Sequence, residues 1–185
     1  MDDTKSQTKK TKGHTRRDFL MITAGAVGGV IGATVLWPFV DSMNPAADTL
    51  ADATTEVNLA AIPVGAAITV VWQGKPVFIR HRTTEEIRQA EATPLSELPD
   101  PQADSARVQK PQWLVVIGVC THLGCVPLGQ KPTEARGEYG GWLCPCHGSQ
   151  FDTSGRIRKG PAPINLELPP YKFITDTTLR IGEGE

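Results

Sequence analysis

The four cysteines of this chain lie in two short segments, and each segment also carries a histidine. The segments read Cys120-Thr-His122-Leu-Gly-Cys125 and Cys144-Pro-Cys146-His147-Gly-Ser149. Thiolate sulfur and imidazole nitrogen bind zinc and iron–sulfur clusters, and pairs of thiols also form disulfides. The two segments therefore predict a metal centre, a disulfide framework, or both.

Three kinds of site fit these residues: two disulfides, a zinc site, or an iron–sulfur cluster with mixed ligands. Two disulfides would leave His122 and His147 without a role. A zinc site needs four ligands and would leave two of the candidates unused. The symmetry of the segments favours a two-iron cluster, in which Cys120 and Cys144 bind one iron and the two histidines bind the other. The spacing favours this cluster and leaves the other two sites open.

The segments CTHLGC and CPCHGS together resemble the double signature of the Rieske iron–sulfur family. The stretch GRIRKGPAP, residues 155–163, is similar to the ubiquinol–cytochrome c reductase members, most like the alphaproteobacterial type. The resemblance implies one [2Fe–2S] cluster per chain, with the metal ligands Cys120, His122, Cys144 and His147. It also implies a disulfide between Cys125 and Cys146.

The same resemblance implies roles for residues around the cluster. Ser149 matches the family serine that donates a hydrogen bond to a bridging sulfide. Leu123 and Gly124 match an exposed apolar tip that docks onto cytochrome b, and residues 160–163 are similar to a rigid proline loop that covers the cluster. Phe151 stands where respiratory members usually have a tyrosine that donates to a ligand cysteine. Because one donor is missing, we expect a lower midpoint potential than in tyrosine-bearing relatives.

Two histidine ligands in place of two thiolates make a cluster easier to reduce, with potentials of about −150 to +300 mV. Reduction adds negative charge, so we expect the imidazoles of His122 and His147 to hold protons more tightly and to titrate as a coupled pair. These two histidines are therefore the predicted catalytic residues, one of which contacts a quinol hydroxyl. The resemblance implies that ubiquinol is the electron donor and that the heme of a cytochrome c-type subunit is the acceptor.

The segments that position these residues predict a mainly β fold. Short β-branched runs predict antiparallel strands, and Gln73-Gly74-Lys75 predicts a hairpin turn. The predicted strands are 55–59, 68–72, 76–80, 113–119, 172–174 and 178–181. With the resemblance, residues 54–185 are expected to form a Rieske-type antiparallel β-sheet domain. Its cluster-binding subdomain would consist of the loops at about 119–127 and 143–163.

Two polar stretches of this domain are expected on its surface. Residues 83–112 are rich in charge and proline, with a short helix beginning near Thr84. The basic residues Arg156, Arg158 and Lys159 could contact an acidic partner or heme propionates, or could simply face solvent. Neither stretch indicates a catalytic group by itself.

One apolar segment is long enough to cross a membrane. Residues 19–40 contain no charged side chain and would extend about 33 Å as a helix at roughly 1.5 Å per residue. Pro38 is expected to end the regular helix near Trp37. A core helix of a soluble protein is the alternative, but the length and composition favour a single transmembrane helix.

The flanks of this helix predict its orientation. The basic tail, residues 1–18, includes Thr15-Arg16-Arg17-Asp18-Phe19-Leu20, which resembles a twin-arginine export signal, whereas no Lys or Arg lies between Val40 and Lys75. We expect a bacterial inner-membrane protein with a cytoplasmic N-terminus and a periplasmic Rieske domain. Residues 41–53 are small and polar, and are predicted to form a flexible tether that lets the domain move between partners. Cleavage of the helix as a signal stays open.

Charge and length restrict the remaining functions. The chain has 185 residues, with 19 Lys+Arg and 20 Asp+Glu, and residues 1–18 have a net positive charge whereas the remainder has a net negative one. A body without clustered cations disfavours nucleic-acid binding. The expected function is the iron–sulfur subunit of a quinol–cytochrome c oxidoreductase, with cytochrome b, a cytochrome c-type subunit and membrane lipid as partners in a dimeric complex. The alternatives are a Rieske subunit of an exported molybdenum oxidase such as arsenite oxidase, a dioxygenase ferredoxin and a zinc module.

Overall fold

A computed structural model describes residues 15–43 and 53–182 of the chain. The chain divides into two compact units, Met1–Ala46 and Ala47–Glu185. The predicted basic tail up to residue 14 and the predicted tether over residues 44–52 lie outside the described residues.

The first unit contains one long helix, α1, which spans Arg16–Asp41. Thr15 caps its N-terminus in a capping box with Asp18: the Thr15 hydroxyl accepts from the Asp18 amide, and the Asp18 carboxylate accepts from the Thr15 amide at 2.9 Å. The helix is long and apolar enough to cross a membrane, and none of its residues is buried. The expectation that Pro38 ends the helix was wrong: α1 continues to Asp41, and the Pro38 carbonyl still accepts from Ser42.

The second unit contains nine strands among its described residues, paired as three antiparallel three-stranded sheets. The sheet orders are β1-β9-β8, β2-β3-β4 and β5-β6-β7. The strands are β1 Thr55–Asn58, β2 Ala67–Trp72, β3 Lys75–His81, β4 Trp113–Ile117, β5 Gly140–Leu143, β6 Gln150–Asp152, β7 Ile157–Lys159, β8 Tyr171–Phe173 and β9 Thr178–Ile181. The predicted mainly β fold is thus present.

The middle sheet, β2-β3-β4, is buried on both faces because it separates two hydrophobic cores. Side chains alternate along a strand, so Val77 and Ile79 of β3 enter the core shared with β1, β8 and β9, whereas Phe78 enters the other. The second core contains Trp142, Phe151 and both free cysteines, Cys120 and Cys144. The candidate ligands therefore lie at the edge of a packed core.

The hairpin between β2 and β3 turns through two residues. Gln73 and Gly74 have φ of 48° and 72°, the left-handed values of a type I′ turn, and Trp72 pairs directly with Lys75. Lys75 is therefore the first residue of β3 and not part of the turn. Glycine suits the second position because it adopts positive φ without strain.

Residues 83–112 are more deeply buried than their composition predicts. They form α2 (Thr84–Ala92), which starts with a Thr83–Glu86 capping box, and two short 3-10 turns, Leu95–Glu97 and Asp104–Ala106. Asp104 and Arg107 are buried. The expected surface excursion was wrong in this respect, because its charged residues pair with groups inside the fold.

A buried charge network joins this segment to the sheet β5-β6-β7. Arg82, at the end of β3, binds both carboxylate oxygens of Asp104, at 2.6 and 3.1 Å. The Ser154 hydroxyl also donates to Asp104, and Arg107 donates to the carbonyl of Ser154 at 2.6 Å. The turn after β6 is thereby connected to β3 through charged hydrogen bonds, which are stronger than neutral ones.

We expect Asp104→Asn to destabilise the domain by about 3 kcal/mol at pH 7, because one partner of a buried ion pair would be lost. Burial alone would raise the pKa of Asp104, but hydrogen bonds from Arg82 and Ser154 outweigh it and lower the pKa. This stabilisation is present above the pKa of an unfolded aspartate, about 3.9, and is lost as the pH falls through the lower folded value. The free energy of unfolding should therefore depend less steeply on pH below about 4 in the variant.

Denaturant titrations across this pH range measure both effects. Asp176→Asn is the matched control, since Asp176 pairs with Lys110 on the surface and its side chain is 99% exposed. Little change is expected for the control. Equal stability losses in the two variants would contradict a stabilising role for the buried network.

Candidate metal centre

The two cysteine segments form two loops at one end of the second unit. The first loop follows β4, and the second connects β5 to β6. The loops meet because β4 and the β5-β6 hairpin contribute to the same hydrophobic core. Residues more than twenty positions apart are thus brought to one point by sheet packing.

The two loops have the same backbone hydrogen bonds. In the first, the Cys120 amide donates to the Cys125 carbonyl at 2.8 Å, and the Gly124 amide donates to the Cys120 carbonyl at 2.9 Å. In the second, the equivalent bonds are Cys144 to Ser149 at 2.8 Å and Gly148 to Cys144 at 3.0 Å. Gly124 and Gly148 have φ of 82° and 75°. Each turn requires a residue that adopts the left-handed region, which explains a glycine four residues after each cysteine.

A disulfide joins the loops. It links Cys125 to Cys146, with their Cα atoms 6.7 Å apart, and their sulfurs lie within 4.8 Å of the Cys144 thiol. Such a crosslink over a loop of about twenty residues contributes about 3 kcal/mol in the chain-entropy account. The crosslink fixes the separation of the loops on which the candidate ligands lie.

The four predicted ligands converge at this position. Cys120 and Cys144 are free thiols, 1% and 2% exposed. The rings of His122 and His147 meet edge to face, with centroids 4.6 Å apart. His147 is exposed, whereas Nδ1 of His122 is buried and has no hydrogen-bond partner among the described residues.

These observations fit a bound metal group. A buried imidazole nitrogen without a partner is costly unless another group satisfies it, and the two adjacent buried thiols next to it are potential ligands for the same group. Burial raises the pKa of the Cys120 thiol, although the His122 amide and the Ser149 hydroxyl partly oppose the shift by hydrogen bonding to its sulfur. A bound cation would favour the thiolate and would supply the missing partner of His122.

Ser149 is fully buried between the ligands and the following loop. Its hydroxyl oxygen accepts a hydrogen bond from the Ala162 amide at 3.1 Å. The hydroxyl proton therefore points away from this amide and is available to another acceptor. The sulfur of Cys120 lies within hydrogen-bond distance of the hydroxyl. This orientation could not be predicted from the sequence, because the donor is a backbone amide.

The proline stretch 160–163 packs directly on the two cluster loops. Gly160 has a φ of 104°, and a Cβ there would lie 2.6 Å from the Cα of Ser149. Thr121 of the first loop donates its hydroxyl proton to the carbonyl of Ile164 at 2.6 Å. Residues 160–164 are thus attached to both loops. A larger residue at position 160 would push this stretch away from Ser149.

Apolar side chains are exposed around the same end of the unit. Leu123 is 71% exposed beside Gly124, and Val126 and Ile164 are also exposed. Leu123 was expected here from the resemblance, whereas Val126 and Ile164 were not predicted. Exposed apolar residues grouped in this way indicate a surface that contacts another apolar surface.

The basic run after the second loop is not a free surface patch. Arg156 is buried, and its Nε binds Asp152 at 2.8 Å. Arg158 is largely buried against the Tyr139 ring, and Lys159 binds Glu138 at 2.8 Å. The idea that all three residues face a partner or solvent was wrong for Arg156, because a buried carboxylate attracts its guanidinium.

Comparisons with known proteins agree with this geometry. Residues 65–172 match a family model described as the Rieske [2Fe-2S] domain. Residues 6–46 match a model described as "Ubiquitinol-cytochrome C reductase Fe-S subunit TAT signal". The two models together cover most of the chain.

Curated relatives and a solved structure extend the comparison. The chain is 62% identical to the ubiquinol-cytochrome c reductase iron-sulfur subunit of Rhodospirillum rubrum, over 91% of this chain and 92% of that protein. It is 50% identical to the Rieske subunit of the cytochrome b-c1 complex of Saccharomyces cerevisiae, over 96% of this chain and 80% of that one. A chain of a solved "Hyperthermophilic respiratory Complex III" is 28% identical, with a TM-score of 0.57, over 86% of this chain and 98% of that one.

We expect Phe151→Tyr to raise the midpoint potential of the centre. Phe151 is fully buried in the core that contains Cys120 and Cys144. A hydroxyl that donates to a ligand sulfur favours the more negative reduced state, and about 1 kcal/mol corresponds to roughly 40–50 mV for one electron.

A redox titration followed by visible circular dichroism measures this change. Phe173→Tyr adds the same hydroxyl next to the other core and should leave the midpoint unchanged. An unchanged or lower midpoint in Phe151→Tyr would contradict the prediction.

Proposed function

Since the chain belongs to the Rieske iron–sulfur family, we propose that it is the membrane-anchored iron–sulfur subunit of a ubiquinol–cytochrome c oxidoreductase. The observation that carries this proposal is the convergence of two buried thiols and two imidazoles on two matched, disulfide-linked loops. The names of the curated relatives support the same function.

The group that fits this site is the Rieske [2Fe–2S] cluster, and we propose Cys120, Cys144, His122 and His147 as its ligands. When bound, such a cluster accepts and releases one electron at a potential that its two histidine ligands raise. The protein supplies the ligands, the Ser149 hydroxyl next to the Cys120 sulfur, and the hydrophobic core into which Cys120 and Cys144 are packed. Its burial of the thiols excludes water from that side of the site.

His147 is the better candidate for contact with quinol. Its side chain is exposed at the apolar end of the domain, whereas that of His122 is half-buried. An exposed imidazole nitrogen of His147 could accept a hydrogen bond from a quinol hydroxyl and then take its proton. Proton and electron would thus leave the quinol at neighbouring positions.

Leu123, Val126 and Ile164 are proposed to form the docking surface for cytochrome b. Leu123 and Val126 are exposed on or next to the first loop, and Ile164 is bonded to that loop through Thr121. Burying these side chains against a partner would also remove water from the quinol contact. Release from this partner would let the domain reach a cytochrome c-type heme. The small, polar composition of residues 41–53 supports a tethered movement of this kind.

We propose that α1 anchors the chain in a bacterial inner membrane, with its N-terminus in the cytoplasm and the Rieske domain in the periplasm. The basic residues before α1 support this orientation, and the match to a twin-arginine signal supports export. A disulfide in the second unit also suits an oxidising compartment. A dimeric complex, with lipid around α1, completes the proposal.

The alternative of an exported molybdenum oxidase subunit is disfavoured. The curated relatives of the chain, at 50–62% identity, carry names of ubiquinol–cytochrome c reductase or cytochrome b-c1 subunits. The match to the reductase export signal points in the same direction.

The cofactor is tested on the purified full-length chain. We expect iron and acid-labile sulfide in equal amounts, and an electron paramagnetic resonance signal of a Rieske centre after reduction with dithionite. Cys144→Ser should abolish both, whereas Cys146→Ser should retain iron with lower thermal stability, because it removes only the crosslink. A colourless protein with stoichiometric zinc and no signal would refute the proposal.

Docking is tested by Leu123→Asp in the assembled complex. Quinol oxidation should slow by tenfold or more, because burying a leucine contributes about 1.5–3 kcal/mol and a buried carboxylate adds a further cost. The cluster signal of the isolated subunit should not change. Val64→Asp is the control, since Val64 is 64% exposed and precedes Gly65, which bonds to His81 at the opposite end of the middle sheet. Equal rates in the two variants would exclude Leu123 from the docking surface.

A further inference from the structure

A group of buried polar atoms outside the candidate metal centre lacks hydrogen-bond partners. Arg80 is fully buried, yet its Nε and Nη1 have no partner in the described part of the chain. The same holds for Nε of Arg136, Nε1 of Trp142 and both polar side-chain atoms of Gln130. Since buried donors without acceptors are rare in folded proteins, these atoms indicate that another group completes the site.

These side chains come from neighbouring parts of the fold. Arg80 lies on β3, and its guanidinium carbon is 5.6 Å from the centroid of the Trp142 ring on β5. A Cβ on Gly129 would lie 3.2 Å from Cδ1 of Trp142, the ring carbon bonded to Nε1. Gly129 therefore packs against the edge of the ring that carries Nε1, and Gln130 is the next residue along the chain.

The charge of this region is positive. Arg80 forms an ion pair with Glu86 through Nη2 alone. Burial lowers the pKa of Arg80, Glu86 opposes this shift, and the positive charge of Arg136 lowers the pKa further. Within residues 15–43 and 53–182, Arg136 has no carboxylate partner, and its half-buried side chain adds a positive charge near Arg80.

We propose that Arg80, Arg136, Gln130 and Trp142 bind a small monovalent anion of the size of chloride. The unpartnered atoms are five donor nitrogens and a single acceptor, Oε1 of Gln130. An anion accepts from several donors at once, whereas a water molecule would find only one acceptor in this group for its two hydrogens. One negative charge would also balance Arg136. None of these residues is a proposed cluster ligand, so the test does not depend on the proposed function.

Crystals of the full-length chain grown in sodium bromide test the site directly. Bromide has an anomalous signal, and a peak is expected within hydrogen-bond distance of both Arg80 and Arg136. Ordered water at this position, or no density at all, would overturn the proposal.

Solution measurements test whether the anion binds at ordinary concentration. A ligand that binds only the folded chain raises its unfolding temperature with the logarithm of ligand concentration. Chloride should therefore raise the unfolding temperature more than isethionate, a bulky anion, at equal ionic strength. Arg136→Gln should abolish this difference, whereas Arg88→Gln should retain it, because Arg88 carries the same charge on the surface.

Each possible result of these experiments either supports or contradicts the proposed anion site. Equal effects of chloride and isethionate on the unmodified chain would overturn it, as would an Arg136→Gln variant that keeps the chloride dependence. A bromide peak without any chloride-specific stabilisation would mean binding at crystal concentration only, which also contradicts it. If Arg136→Gln does not fold, the comparison of the two anions on the unmodified chain is sufficient.

Discussion

The contact between two cysteine loops is the constraint on which the rest of this structure depends. Each loop is closed by the same pair of backbone hydrogen bonds and by a glycine with positive φ, and the Cys125–Cys146 disulfide joins the two. The buried Nδ1 of His122 lacks a partner among the described residues, and a bound group held by the adjacent thiols would supply one. The disulfide and the sheet packing hold these loops together at the position where such a group would bind.

The charge network behind the loops has a related role. The sheet β5-β6-β7 contributes short strands of three or four residues, which are too small to form an independent unit. Hydrogen bonds from Arg82 and Arg107 attach the turn at Ser154 to β3 and to the segment after α2. Buried ion pairs contribute little net stability compared with apolar packing, but their fixed geometry defines one arrangement of the parts they join. This attachment fixes the position of β6, and therefore also of the second cysteine loop, which precedes β6.

Much of the fold and of the site could be predicted from the sequence, and the failures have physical reasons. Six of the nine strands followed from β-branched runs, whereas β5, β6 and β7 were not predicted, because they are short and much of their sequence was assigned to a cluster-binding loop. The site followed from residue types that seldom occur together by chance. The burial of charged residues within 83–112 could not be predicted, because composition does not show that Asp104 has a buried arginine partner. Arg156 was misplaced for the same reason, since its partner Asp152, the last residue of β6, is also buried. The helix end at Pro38 was missed because a proline near a C-terminus removes only one backbone hydrogen bond.

The two sides of the candidate site differ in ways that suit electron transfer coupled to proton release. On one side, the thiols and Ser149 are buried, and the Ala162 amide occupies the serine oxygen, which directs the hydroxyl proton toward the sulfur region. On the other side, His147 is exposed among apolar side chains. A hydrogen bond that stabilises negative charge on sulfur raises the affinity for an electron, whereas an exposed imidazole exchanges its proton. Because Gly160 allows the proline stretch to approach Ser149 closely, this contact and the Ala162 hydrogen bond support the buried side while the exposed side stays open to a partner.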